Sequence, residues 1–203
     1  MKTIVVLLCV VLLAAAAAAA FVTSGVYDIG ADQPHWRLTE KIVATLRDRS
    51  IAHQSAGITV PNLDDPERIH RGARRYAEMC AACHLTPGMR STELREGLYP
   101  QPPDLSRRGL DDPAEAFWVI KHGIKMSAMP AWGRSHDDAA IWEMVAFERK
   151  LPTMDEAAFE AMAGMPGNDG HGGGHGMHHH DEDEHEHPAS SSSAPEGDSD
   201  HEH

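Results

Sequence analysis

The pentapeptide Cys80-Ala81-Ala82-Cys83-His84 constrains this chain more than any other stretch. On a helical period, residues at i, i+3 and i+4 share one face, so two thiols and an imidazole can meet a single flat ligand. Two thiols at that spacing can add to the vinyl groups of a haem as thioethers while the imidazole reaches the iron from the same side. The motif therefore predicts covalent c-type haem attachment at Cys80 and Cys83, with His84 as an axial ligand. A zinc knuckle would need a second ligand pair, and the one other cysteine, Cys9, lies alone in an apolar run. There it reads as a small hydrophobe, so no disulfide framework is implied.

The surrounding chain divides by composition. Residues 1–22 form a signal anchor or transmembrane helix: Lys2 precedes nineteen uncharged residues, Ile4 to Val22, long enough to cross a bilayer and carrying small-x-small sites for signal cleavage. A retained anchor and a cleaved signal both require export. With no further basic residue until Arg37, the N-terminus is expected in the cytoplasm and the body outside it. Tyr27 and Trp36 suit the membrane surface, or packing against the next helix. Residues 23–64 read as a connector holding an amphipathic helix over Leu38 to His53. Its apolar stripe is Leu38, Ile42 and Leu46, with Val43 and Ile51, and its polar side holds Lys41, Arg47 and Arg49. Such a helix rests on anionic lipid or, more commonly, packs onto its own domain.

Residues 65–163 carry the signals of a small all-α domain. Asp65-Pro66 begins a helix that should run to about Cys83, with Ile69, Gly72, Ala73, Tyr76 and Cys80 inward and Arg68, Arg71, Arg74 and Arg75 outward. Leu85 to Leu110 is rich in Pro and Gly and reads as ordered loop with one helical turn near Ser91 to Glu96. Pro102, Pro103 and Leu105 are expected to wall the haem, and a backbone carbonyl from this region is expected to orient His84 through its other ring nitrogen. Asp112-Pro113 starts a second helix that Gly123 ends. A cap at Ser135 to Asp138 precedes a third helix running to Leu151-Pro152, and Thr153 to Glu156 caps a short last helix ending at Gly164.

An electron carrier needs a second axial ligand, and a thioether is the soft donor for it. Met126 and Met129 are the candidates. Met129 precedes Pro130, which holds its backbone extended, so Met129 is favoured and Met126 is assigned to packing at the haem edge. His122 and His136 are rival ligands, but both sit at helix ends and read as capping or surface groups.

The string RGARRYAEMCAACH, followed by IKHGIKMSAMPAWG and IWEMVAFERKLP, resembles class I cytochromes c, in particular small bacterial members with a Met-Pro-Ala-Trp segment, over residues 66 to 152. The resemblance implies an all-helical fold around one covalent haem c, its first and last helices crossing closely where Gly72 lets the backbone approach the aromatic face of Phe147. It implies a one-electron carrier rather than an enzyme, working between a redox-protein donor and acceptor. The N-terminal extension with DQPHW is similar to that of some membrane-tethered bacterial cytochromes c, which places the body on the periplasmic side of an inner membrane. A haem peroxidase or sensor is the alternative if Met129 is not a ligand.

The net charge of -13 belongs to the tail, because no Lys or Arg follows Lys150 and ten carboxylates lie from residue 164 onward, leaving -3 for residues 1–163. A nearly balanced body excludes nucleic-acid binding, which needs a concentrated basic surface. Residues 164–203 have too few apolar groups to fold and are expected to be disordered. Nine of the fifteen histidines lie in this tail, among them His171, His175, His178, His179, His180, His185 and His187. With the carboxylates and Met177 they suit Cu(II), Ni(II) or Zn(II), so metal buffering stands as a second reading beside that of a plain solvated tail.

Overall fold

The computed structural model describes residues 1–164, and every regular element among them is helical. In chain order the α-helices are α1 (Lys2–Thr23), α2 (Arg37–Ser55), α3 (Pro66–Met79), α4 (Ala81–His84), α5 (Glu93–Glu96), α6 (Leu105–Arg108), α7 (Pro113–His122), α8 (Asp138–Glu148) and α9 (Glu156–Ala163), with short 3-10 turns at Trp132–Arg134 and Leu151–Thr153.

Aspartates begin the helices of the domain. Asp65 accepts from the Glu67 amide, Asp112 from Ala114 and Glu115, Asp137 from Ala140 and Asp155 from Ala158. Each such cap stabilises its helix by about 1 kcal/mol, and Pro66 and Pro113 add a preset φ at the first turn. The loop after the Cys-x-x-Cys-His motif holds the expected turn as α5 and also the unexpected α6, which Asp104 caps through the Ser106 amide. Its Asp-x-Ser signal was masked by the prolines just before it.

The core is built where α3 packs on α8, with α9 against α3. Tyr76, Phe147 and Phe159 form an aromatic triangle with ring centroids 5.3, 6.0 and 6.3 Å apart. Gly72 makes the crossing possible. A Cβ there would lie 2.8 Å from the Phe147 Cβ and would run into the Glu143 carbonyl. Its nearest neighbour is thus backbone rather than the aromatic face, and the glycine serves a main-chain contact between two helices.

Three other expectations change. The helix expected to reach Cys83 stops at Met79: Cys80 has φ -111°, and the amides of Cys83 and His84 both donate to the Cys80 carbonyl, which tightens the motif into its own turn. Two of the four outward arginines are not simply solvated, because Arg71 Nε and Arg75 Nε donate to the two oxygens of Glu143 at 2.6 and 2.9 Å. The apolar stripe of α2 does not face the domain. That helix packs on α7; Ser55 is buried and Thr39, Ala44, Arg47 and Ile51 are half-buried, while Leu38, Ile42, Val43 and Leu46 remain 70, 58, 52 and 69% exposed.

Candidate haem site

The short turn of α4 carries Cys83 and His84, and Cys80 caps its start. Cys80 is buried, and Cys83 and His84 are half-buried beside it. Tyr76 donates its hydroxyl proton to the Leu85 carbonyl at 2.7 Å, which pins the chain just after the motif, where Leu85 has φ 65°. His84 Nδ1 lies 3.0 Å from the Pro103 carbonyl. A carbonyl can only accept, so Nδ1 carries the proton and Nε2 keeps a lone pair for a metal. Burial holds the His84 pKa below its ordinary value and the nearby Arg95 charge adds to this, against the Pro103 hydrogen bond, so the ring is neutral at pH 7. Burial likewise raises the Cys80 thiol above its usual range.

The second candidate ligand sits on a pinned loop. Gly123 ends α7 with φ 66°, and a Cβ there would stand 2.7 Å from both the Met129 oxygen and the Pro130 carbonyl carbon. The Ile124 amide donates to the Met129 oxygen at 3.2 Å, Ser127 Oγ donates to the Ile124 oxygen at 2.8 Å, and the Met129 amide donates to Ser127 Oγ at 3.2 Å. Met129 is half-buried and packs against the core, as does Trp132. Met126 is fully exposed to the space outside the protein core, at φ 58°. The tight turn that seats Met129 points Met126 outward. His122 is exposed and lies 5.0 Å, ring to ring, from Trp118, and His136 bonds Ser135 Oγ at 3.0 Å.

A haem brings two carboxylates as well as iron, and the site offers a donor for them. Arg95 Nε is buried without a hydrogen-bond partner among the described residues, while its NH2 group donates to the Pro102 oxygen at 2.8 Å. An unmet guanidinium donor beside His84, two thiols on one turn and an imidazole with its lone pair free together fit haem. The tail histidines His171 to His187 lie outside the described residues. Among the described residues no group of three or more His, Cys, Asp or Glu is placed to hold a metal ion.

Residues 67–147 match the family model of cytochrome C oxidase, cbb3-type, subunit III. That segment is a cytochrome c domain. A cytochrome c domain serves haem-based electron transfer, and the family implies a covalent c-type haem. The matched residues open in α3 and close at Phe147 in α8, so the domain includes the helix crossing, the Cys80–His84 turn and the Met129 loop.

The cytochrome c domain also buries two carboxylates that the sequence did not single out. For Glu143, burial works to raise the pKa, but the hydrogen bonds and charges of Arg71 and Arg75 hold it below the usual carboxylate range. Glu148 has no such partner, and burial pushes it up to about 8. The folded chain therefore keeps a proton on Glu148 that the unfolded chain releases near 4.5, and stability falls as pH rises from about 4.5 to about 8. Glu148→Gln should remove that loss. Urea unfolding midpoints compared at pH 5 and pH 8 should favour the variant by up to about 4 kcal/mol more at pH 8, since each unit of displacement is worth about 1.4 kcal/mol.

Proposed function

We propose that this chain is an exported one-electron carrier with a single haem c held by Cys80 and Cys83 and ligated by His84 and Met129. The observation that carries this reading is the Nδ1 contact of His84 to the Pro103 carbonyl, which leaves Nε2 as the only ring atom able to bind iron. A haem bound there supplies an Fe(III)/Fe(II) couple. The residues around it set its properties: the Met129 thioether favours the ferrous state and raises the potential, and the apolar core keeps out water. The unpartnered Arg95 Nε would suit a propionate, and its cation would favour the reduced form.

The helix α1 has mean hydropathy 3.0 over its best window and no buried residue, in keeping with a retained anchor that leaves the domain on the periplasmic side of a bacterial inner membrane. Anchoring raises the effective concentration of the carrier at membrane-bound donors and acceptors. The matched family's description makes a cytochrome c oxidase the partner class most in keeping with this domain.

The axial assignment is tested by the ferric spectrum. The weak long-wavelength band of a thioether on ferric haem should be present in the haem-loaded chain, absent in Met129→Ala and unaffected in Met126→Ala. Survival of the band in Met129→Ala overturns the assignment. Absence of the band from the unaltered chain rules out a thioether ligand; a high-spin ferric spectrum then marks an open iron and the peroxidase or sensor reading, and a low-spin one a second imidazole such as His122 or His136.

A further inference from the structure

We propose that α2 lies in the lipid headgroup layer, with Leu38, Ile42 and Leu46 inserted below the phosphates, so that the haem domain is seated on the membrane rather than hung from a free tether. This rests on the reading of α1 as a membrane span.

The exposed stripe is the first observation. At 100° per residue, Leu38, Ile42 and Leu46 fall in one sector of α2, with Arg49 inside it, Val43 at one margin and Lys41 at the other. The domain takes the opposite sector, where Ala44, Ile51 and Ser55 are covered. The helix is thus apolar toward the outside and meets its own domain with smaller and more polar residues, the reverse of a helix whose partner is its own core. Charge is the second observation. Of the carboxylates of α2, Glu40 lies away from the stripe, and Asp48, just outside Lys41, is paired with Arg47 at 2.8 Å. What accompanies the stripe is Arg49 and Lys41, whose long stems can lie along lipid while their charges meet phosphate.

The third observation is continuity with the span. Trp36 immediately precedes α2, and its ring lies 5.9 Å from that of Phe21 near the end of α1 and 4.9 Å from Tyr27. The start of α2 is therefore held at the level where α1 leaves the apolar layer, the level that Trp and Tyr favour. The domain is joined to the same point: the Tyr27 hydroxyl lies 2.9 Å from His35 Nδ1, and the His35 amide donates to the Tyr99 hydroxyl at 3.1 Å. The loop that bears Tyr99 is the one that supplies Pro103 to His84, so the seat also fixes how the haem side of the domain faces the membrane.

The test uses the full haem-loaded chain in Cys9→Ala background, where the two haem-bound cysteines no longer react. Single nitroxide labels are introduced through Ile42→Cys, Leu46→Cys, Val11→Cys and Ala157→Cys. The chain is reconstituted into phosphatidylcholine–phosphatidylglycerol vesicles, and collisions with oxygen and with a water-soluble nickel chelate are read for each label. Labels at 42 and 46 should favour oxygen several-fold relative to 157 and report a depth of about 5–10 Å below the phosphates, shallower than 11. Labels at 42 and 46 that behave as 157 does, with 11 deep in lipid, overturn the seat and leave the anchor standing. A label at 11 in water overturns the anchor. Labels at 42 and 46 shielded from both reagents mark a protein neighbour and overturn the lipid contact.

Discussion

Gly72→Val is expected to cost the cytochrome c domain about 3 kcal/mol or more, enough to remove most of the margin of a small domain. Two effects oppose each other at this position. A β-carbon in mid-helix restores up to about 1 kcal/mol of helix propensity relative to glycine. It also collides with the Glu143 carbonyl and stands 2.8 Å from the Phe147 Cβ, so α3 and α8 must move apart. Backbone cannot rotate away as a side chain can, and separation also strains the Arg71 and Arg75 bonds to Glu143 and opens the Tyr76–Phe147 contact. The clash wins. Urea unfolding of the haem-loaded chain reads the loss, and Gly72→Ala should fall between the glycine and valine proteins. A valine variant within 1 kcal/mol of the unaltered chain would show that the crossing tolerates a side chain.

The largest effect on the cofactor is expected from Cys80→Ser together with Cys83→Ser. Thioethers hold haem through denaturation, whereas an axial imidazole and thioether do not. Acid-solvent extraction should leave the haem mass on the unaltered chain and strip it completely from the double variant. Each single variant should keep its haem through one bond. The buried Cys80 lies within the hydrophobic core cluster, so its serine also places a hydroxyl in an apolar site and should lower stability more than serine at the half-buried Cys83. Haem retained on the double variant would mean attachment elsewhere.

The haem-binding motif, the Asp-Pro helix starts, the terminating Gly123 and the inward face of α3 were all legible in the chain, because each depends on neighbours a few residues away; that the motif forms a turn of its own after Met79 was not. So was the need for a carbonyl behind His84, though only the fold could show that Pro103 supplies it. What local pattern could not reveal was anything decided by a distant element. Glu143 reads as a surface residue on α8 until Arg71 and Arg75 arrive from α3, seventy-two and sixty-eight residues earlier. Glu148 gives no local sign that α8 is buried on all sides. Pro130 already set Met129 apart from Met126 in the sequence, but the Ser127 hydrogen bonds that hold its loop could be seen only in the fold. The stripe of α2 was plain, but which way it faced was not.

The central claim is reversible one-electron chemistry at a His84/Met129 haem, and potentiometric titration of the purified, haem-loaded chain tests it most directly. A single wave with a one-electron Nernst slope of about 59 mV per decade, superimposable in the oxidising and reducing directions, is expected, with a lower midpoint in Met129→Ala as the thioether's preference for ferrous iron is lost. A midpoint unchanged by that substitution, or a wave that does not retrace on reoxidation, would contradict it.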